Sequence, residues 1–190
     1  AVCQNITVSL NSNGTYTLTA SEIDGGSSDN CSINQLQINI NSFDCSNIGT
    51  NTVSLTVTDV NGNSSTCDAI VTVVDNASPQ AVCNNLNVGL NPNGVVTINA
   101  ASLATASTDP CGIASITANQ TTFTCADIGP NVITVTVIDN NGNQTTCSSI
   151  VTVSDVTAPN AECKNISIQL DTNGQAVISG LDIDNGSNDS

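Results

Sequence analysis

Basic side chains are almost absent: Lys164 stands alone against 16 acidic residues, and neither Arg nor His occurs, so the formal charge is −15 over 190 residues. Phosphate backbones are gripped by Lys and Arg, which excludes nucleic acid as a partner. Anionic membrane surfaces are disfavoured for the same reason. Without His the usual general base is missing, most acids fall in loops, and no Gly-x-Ser-x-Gly or phosphate-binding loop is present, which argues against an enzyme. No apolar run approaches the roughly 18 residues of a membrane-crossing helix. No leader peptide is visible either, so export would depend on a segment outside these residues. Trp and Met are also missing, and aromatics make up 2% of the chain. A core built from Val, Ile, Leu and Ala is thin, and a thin core calls for a further restraint.

Nine Cys are present. In so short a chain they point to disulfides and an oxidising compartment, with the protein secreted or on the cell surface. They also mark a repeat. Ala1-Val2-Cys3 returns as Ala81-Val82-Cys83 and as Ala161-Glu162-Cys163, a period of 80 residues. Residues 1–80 and 81–160 align without a gap and share 35 identities, while 161–190 repeat the first 30 positions with 12. The expected organisation is repeat 1 at 1–80, repeat 2 at 81–160 and the first strands of a truncated repeat 3 at 161–190.

Each copy reads as β-structure. Ile6, Val8 and Leu10 alternate with polar residues, as do Tyr16, Leu18 and Ala20, then Leu36, Ile38 and Ile40, then Val53, Leu55 and Val57, then Ala69, Val71 and Val73. Asn13-Gly14 and Asn61-Gly62 supply turns, and no stretch keeps a helical period. The expectation is an all-β chain of tandem immunoglobulin-like β-sandwiches, about seven strands each, arranged as beads on a rod.

The pattern resembles the hyalin repeat, a family of extracellular adhesion proteins with an immunoglobulin-like fold. The matching residues are Cys3, Asn5-Ile6, Phe43, Gly49, the run Val57 to Asn63, Cys67, Val71-Thr72-Val73, Asp75 and Pro79. The second copy matches at Cys83, Phe123, Gly129, the run Asp139 to Asn143, Cys147, Asp155 and Pro159. Gln4 replaces the family's usual Pro, and Cys31 and Cys45 are an added pair. Such variants look like the tandem arrays on surface proteins of Bacteroidota-type bacteria. The resemblance implies adhesion or spacing, with no chemistry. It also implies the pairings Cys3–Cys67 and Cys83–Cys147, with Cys31–Cys45 and Cys111–Cys125 completing the set and Cys163 left over. Counting alone leaves open a rival in which Cys67 joins Cys83 and Cys147 joins Cys163. Zinc is disfavoured, since no Cys-x-x-Cys and no His occur.

Asp59-x-Asn61-x-Asn63 and Asp139-x-Asn141-x-Asn143 offer oxygens at alternate positions, as calcium loops do. Asp75 and Asp155 lie in the linkers, where a cation would stiffen a joint, and Asp29, Asp109 and Asp189 recur at one offset. The competing role is turn formation alone. Asn-x-Ser/Thr triplets begin at Asn5, Asn13, Asn30, Asn63, Asn76, Asn119, Asn143, Asn165, Asn185 and Asn188, so covalent glycans are a second expectation. The functional expectation is a structural subunit of an extracellular fibre or cell-surface adhesin, a semi-rigid spacer. Its partners would be copies of the same array in a fibre or adjacent repeats of a longer chain. The alternative is a glycan- or protein-binding module. Aromatic platforms for sugars are scarce, however: Tyr16, Phe43 and Phe123 are all, and they fall at core positions.

Overall fold

A computed structural model describes residues 1–189. The first repeat contains β1 (Ile6–Ser9), β2 (Thr15–Thr17), β3 (Ile33–Ile38), β4 (Ser42–Asp44), β5 (Gly49–Asp59) and β6 (Ser64–Val74). The second repeats the order as β7 (Leu86–Gly89), β8 (Val95–Thr97), β9 (Ile113–Ala118), β10 (Thr122–Thr124), β11 (Gly129–Asp139) and β12 (Gln144–Ser154). One sheet of each sandwich runs β1-β6-β5-β3 or β7-β12-β11-β9, and the other is the pair β2-β4 or β8-β10. The opening strand joins the closing strand in parallel, with Ile6 beside Val71 and Leu86 beside Val151. The chain is therefore all-β and sandwich-like, with six strands per repeat where the alternation predicts about seven.

The second strand ends earlier than its alternation predicts, and the cause is local chemistry. Leu18 and Ala20 continue the alternation of β2, but the chain turns after Thr17 into a single helical turn, Ala20–Ile23. Glu22 fixes the turn: its carboxylate accepts from Thr19 N at 2.7 Å and Thr19 Oγ1 at 2.7 Å, and its own backbone N–H donates to Thr19 O at 3.2 Å, the pairing of a capping box. The turn carries Ile23 into full burial. Glu22 also accepts from the Tyr16 hydroxyl. That bond and the Thr19 bonds hold the Glu22 carboxyl below its ordinary range, and the Tyr16 phenol is raised by the same contact.

β5 and β6 form the frame. Ten residue pairs run from Gly49–Val73 to Thr58–Ser64. Val53, Leu55, Val57, Ala69, Val71 and Val73 face inward and are buried. Val8 of β1 lies in the same sheet, and Phe43 from β4, Leu10, Leu18 and Ile23 join the same buried cluster. Asp59 closes the hairpin. Its Oδ1 accepts from Asn61 N and Asn63 N, both at 2.8 Å, and its Oδ2 from Asn63 Nδ2 at 2.7 Å. Gly62 takes the left-handed conformation the turn requires, φ +88°. Asp139 closes the second hairpin with the same three bonds.

The chain forms two compact units. The first comprises 1–82 with 104–117 and 136–147, and the remainder forms the second. The first unit thus holds the whole opening repeat, its linker, and the loops of repeat 2 that flank Asp109 and Asn143. In the second unit, the expected first strands of repeat 3 do not form among the described residues of 161–190. Two isolated bridges, Asn160 with Asn188 and Cys163 with Asp184, and a helical turn at Gly180–Ile183 are present instead. Leu170, Val177 and Leu181 remain 65%, 97% and 83% exposed. The reason lies in the topology: β1 and β2 are held by β6 and β4, and residues 161–190 contain no counterpart of either.

Replacing Phe43, 1% exposed, with Ala should cost about 3–5 kcal/mol. Val60→Ala, at a 55% exposed turn position, should change stability by less than about 0.5 kcal/mol. Urea denaturation of the two variants measures the contrast. A second expectation concerns acid. Because Glu22 is depressed in the folded state, its contribution is complete above about pH 4.3, the unfolded value, and is lost as pH falls through its lower folded value. Glu22→Gln should therefore lower the melting temperature at pH 7, and the gap to the parent should close as pH falls through the depressed folded value.

Candidate functional site at the repeat junction

The first unit contains the linker from repeat 1 to repeat 2, and three kinds of bond hold it. The backbone of Gln80 exchanges two hydrogen bonds with Thr108, at 2.8 and 3.1 Å. Asn143 Nδ2 donates to the Asp75 carbonyl at 3.1 Å while also serving its own turn. The third bond is covalent: Cys45 is joined to Cys111, with Cα atoms 5.2 Å apart. Gly14 permits this approach, because a Cβ there would lie 2.8 Å from Pro110 Cβ and 3.0 Å from Cys45 Sγ.

This bond corrects the expected pairs Cys31–Cys45 and Cys111–Cys125. Cys31 is an exposed free thiol. It precedes β3 at the end of the sandwich that carries the Asp59 turn, where Val60 N donates to Ser32 O. Cys45 opens the 3-10 turn (Cys45–Asn47) that leads into Gly49, at the far end of β5. Eleven extended residues put those ends about 33 Å apart. A disulfide bridges Cα atoms no more than about 7 Å apart. The partner of Cys45 must then come from outside its own repeat. The hint in the sequence is the length of the Val53–Val57 alternation, which pushes Cys31 and Cys45 to opposite ends.

The structure joins Cys3 to Cys67, across 64 residues. Cys83 and Cys147 are disulfide-bonded too, so six of the nine Cys are oxidised, which fits a compartment outside the cytoplasm. Cys125 occupies the place of Cys45: its Sγ lies 3.8 Å from Gly94 O, as Cys45 Sγ lies 3.8 Å from Gly14 O. Cys163 is an exposed free thiol.

The residues expected to bind calcium do not assemble as one set. Every carboxylate oxygen of Asp59 and Asp139 is engaged by its own turn, so Asn61, Asn63, Asn141 and Asn143 serve as turn donors. The Asn63 contact is the main cause that holds the Asp59 carboxyl below its ordinary range. Asp155 is exposed and accepts from Thr157 N at 2.9 Å. Asp75 differs. It is 7% exposed, its Oδ1 accepts from Ala77 N at 3.0 Å, and its Oδ2 is buried without a hydrogen-bond partner. Asp109 matches it: Oδ1 accepts from Cys111 N at 2.8 Å and Oδ2 is buried and unpartnered. The carboxylate oxygens of these two residues and Cys111 Sγ lie within 4.8 Å of one another. Sequence reasoning placed Asp75 in a linker and saw Asp109 recur, but did not bring them together.

Of the Asn in glycosylation triplets, Asn5, Asn13, Asn30, Asn76, Asn119, Asn165, Asn185 and Asn188 are exposed. The amide nitrogens of Asn63 and Asn143 are committed to Asp59 and Asp139.

No family model and no curated protein matches the chain. Among solved structures, the human CDH23 segment EC21-23 is 16% identical over 62% of this chain and 47% of that one, with a TM-score of 0.38. Protocadherin gamma B7 cadherin domains 1-4 are 14% identical over 89% of this chain and 55% of that one, with a TM-score of 0.37. The fibronectin(III)-like modules of Clostridium thermocellum CbhA are 12% identical over 81% and 91%, with a TM-score of 0.29. The chain spans about half the length of the first two chains.

Digestion with an Asp-specific protease, without reduction, should release a cross-linked peptide holding Cys45 and Cys111. Cys31 should be alkylated before any reductant is added. A Cys31–Cys45 peptide would show the assignment to be wrong.

Proposed function

We propose that the chain is a structural segment of an extracellular fibre or cell-surface adhesin, a disulfide-stapled semi-rigid spacer made of hyalin-repeat-like modules. The observation that carries this reading is the Cys45–Cys111 bond. Cys3–Cys67 restrains one module from within. Cys45–Cys111 does something else: it spans the linker Asp75 to Pro79 and ties one repeat to the loop of the next. A five-residue linker ending in Pro already has little freedom, and a second covalent tie removes most of what is left. Free modules have no use for such a bond, whereas a spacer that must hold its geometry does. Glycans on the exposed Asn would add a solvated coat over sheet edges that lack Lys as a guard.

The partner in this reading is another repeat. Cys31 and Asp29 hold in repeat 1 the positions that Cys111 and Asp109 hold in repeat 2. Cys31 N donates to Asp29 at 2.7 Å as Cys111 N donates to Asp109 at 2.8 Å, so the two loops are built alike. Beside Asp29 lies a hollow of about 140 Å³ lined by Ala1, Ile33, Asp59, Asn63 and Ser65. This face receives the Asp75-type linker of a neighbouring repeat and sets a Cys45-type thiol against Cys31. The bond forms by exchange with a disulfide of the exporting compartment: two thiols give up two protons and two electrons, and the donor disulfide becomes a dithiol.

Under a glutathione redox buffer, the chain should form disulfide-linked multimers that Cys31→Ser abolishes and Cys163→Ser leaves in place. Images of the native material should show filaments with a regular axial repeat. Compact monomers, or multimers that survive Cys31→Ser, would overturn the reading. Selective binding on a glycan array would favour a recognition module instead.

A further inference from the structure

The acidic excess becomes a specific problem at one point. Asp75 is more than nine-tenths buried, yet its Oδ2 has no hydrogen-bond partner, and the equally unpartnered Oδ2 of Asp109 belongs to the same cluster. Two carboxylates side by side repel each other, and the buried Oδ2 of each has lost its water. Proteins usually answer with Arg, Lys or His. This sequence has one Lys and neither of the others. The Ala1 ammonium donates to Ser65 Oγ. The sequence therefore has little positive charge of its own to place here.

Other acids show that this is not a general looseness. Asp59 and Asp139 each close a turn with both oxygens bonded. Asp155, the linker counterpart of Asp75, is exposed to water. Among the described residues, only where linker Asp and loop Asp meet do two carboxylate oxygens stay buried and unanswered. Cys111 Sγ shares the cluster, but it is tied to Cys45 and is not a thiolate.

We propose that Asp75 and Asp109 hold a divalent cation of the calcium class at the repeat junction. The ligand chemistry selects the ion: oxygen donors without imidazole or thiolate suit a hard cation and not zinc or copper. Calcium needs six to eight oxygens and accepts irregular sets, with waters filling the remainder. A cleft of about 250 Å³ lined by Ser12, Ser78, Gln80, Thr108, Asp109 and Pro110 gives those waters room and an entry path. Two carboxylates with water as the balance place the affinity at roughly 10⁻⁴–10⁻³ M, the range of extracellular modules. The ion ties the linker to the next repeat's loop, beside the Cys45–Cys111 bond. Its effect on stiffness rests on the spacer reading, but binding itself does not.

Calcium chloride titrated into the full oxidised chain in metal-free buffer should give a saturable heat and raise the melting temperature. Asp109→Asn and Asp75→Asn should each weaken binding at least tenfold, and Asp155→Asn should leave it unchanged. The Cys45–Cys111 peptide serves as the check that each variant has folded. Absence of saturable heat and of any melting shift would overturn the proposal, as would binding that survives both substitutions. A melting temperature that Asp109→Asn raises without calcium, with no binding by the parent, would mean plain repulsion between the two carboxylates and would also overturn the proposal. Filaments that form from a chain with no calcium affinity sink this proposal alone. Calcium binding by a chain that makes no filaments sinks only the spacer.

Discussion

Gly49–Asp59 and Ser64–Val74 lie against each other through ten consecutive pairs, and that length decides where everything else can be. One end of the hairpin carries the Asp59 turn and, through β3, Cys31. The other carries the start of β5, Cys45 and the linker. A shorter hairpin would let Cys31 and Cys45 meet. This one keeps them about 33 Å apart, so Cys45 bonds to Cys111 of the next repeat and Cys31 stays a free thiol. The same separation places the linker Asp and the loop Asp of a single repeat at opposite ends, so a carboxylate pair arises only where two repeats meet.

The disulfides follow from what the core lacks. Phe43 and Phe123 are the large fully buried rings, one to each repeat, and the rest of the core is aliphatic. Closing loops of 64 and 66 residues contributes about 4 kcal/mol apiece on the loop-entropy account. That is comparable to the net stability of a small domain. The sheets then do not need Trp, and their outward positions are free to be Thr, Ser and Asn.

Much of the architecture was legible in the residues. The Val53–Leu55–Val57 alternation, the Asn61-Gly62 turn and the 80-residue period lead directly to β5, β6 and the repeat. The helical turn Ala20–Ile23 was not, because four residues are too few to show a period. Only the Thr19-x-x-Glu22 cap marks it. The junction was harder. Cys45 reaches Cys111 across 66 residues and Cys3 reaches Cys67 across 64, so spacing says nothing of which bond stays inside a repeat. Asp75 finds Asp109 across 34 positions, 109 − 75, through a loop with no regular structure to predict its path.

The Cys3–Cys67 bond also determines how the chain responds to being pulled. Tension entering near Cys3 passes through sulfur to Cys67, and the 63 residues between them carry only what leaves through Cys45 to Cys111. What can straighten before the next bonded cysteine, Cys83, is 83 − 67 = 16 residues, about 55 Å at full extension. A repeat of 80 residues with its disulfides open would pay out about 270 Å. Oxidation thus turns each sandwich from slack into fixed length, and the array stretches like a chain of closed links.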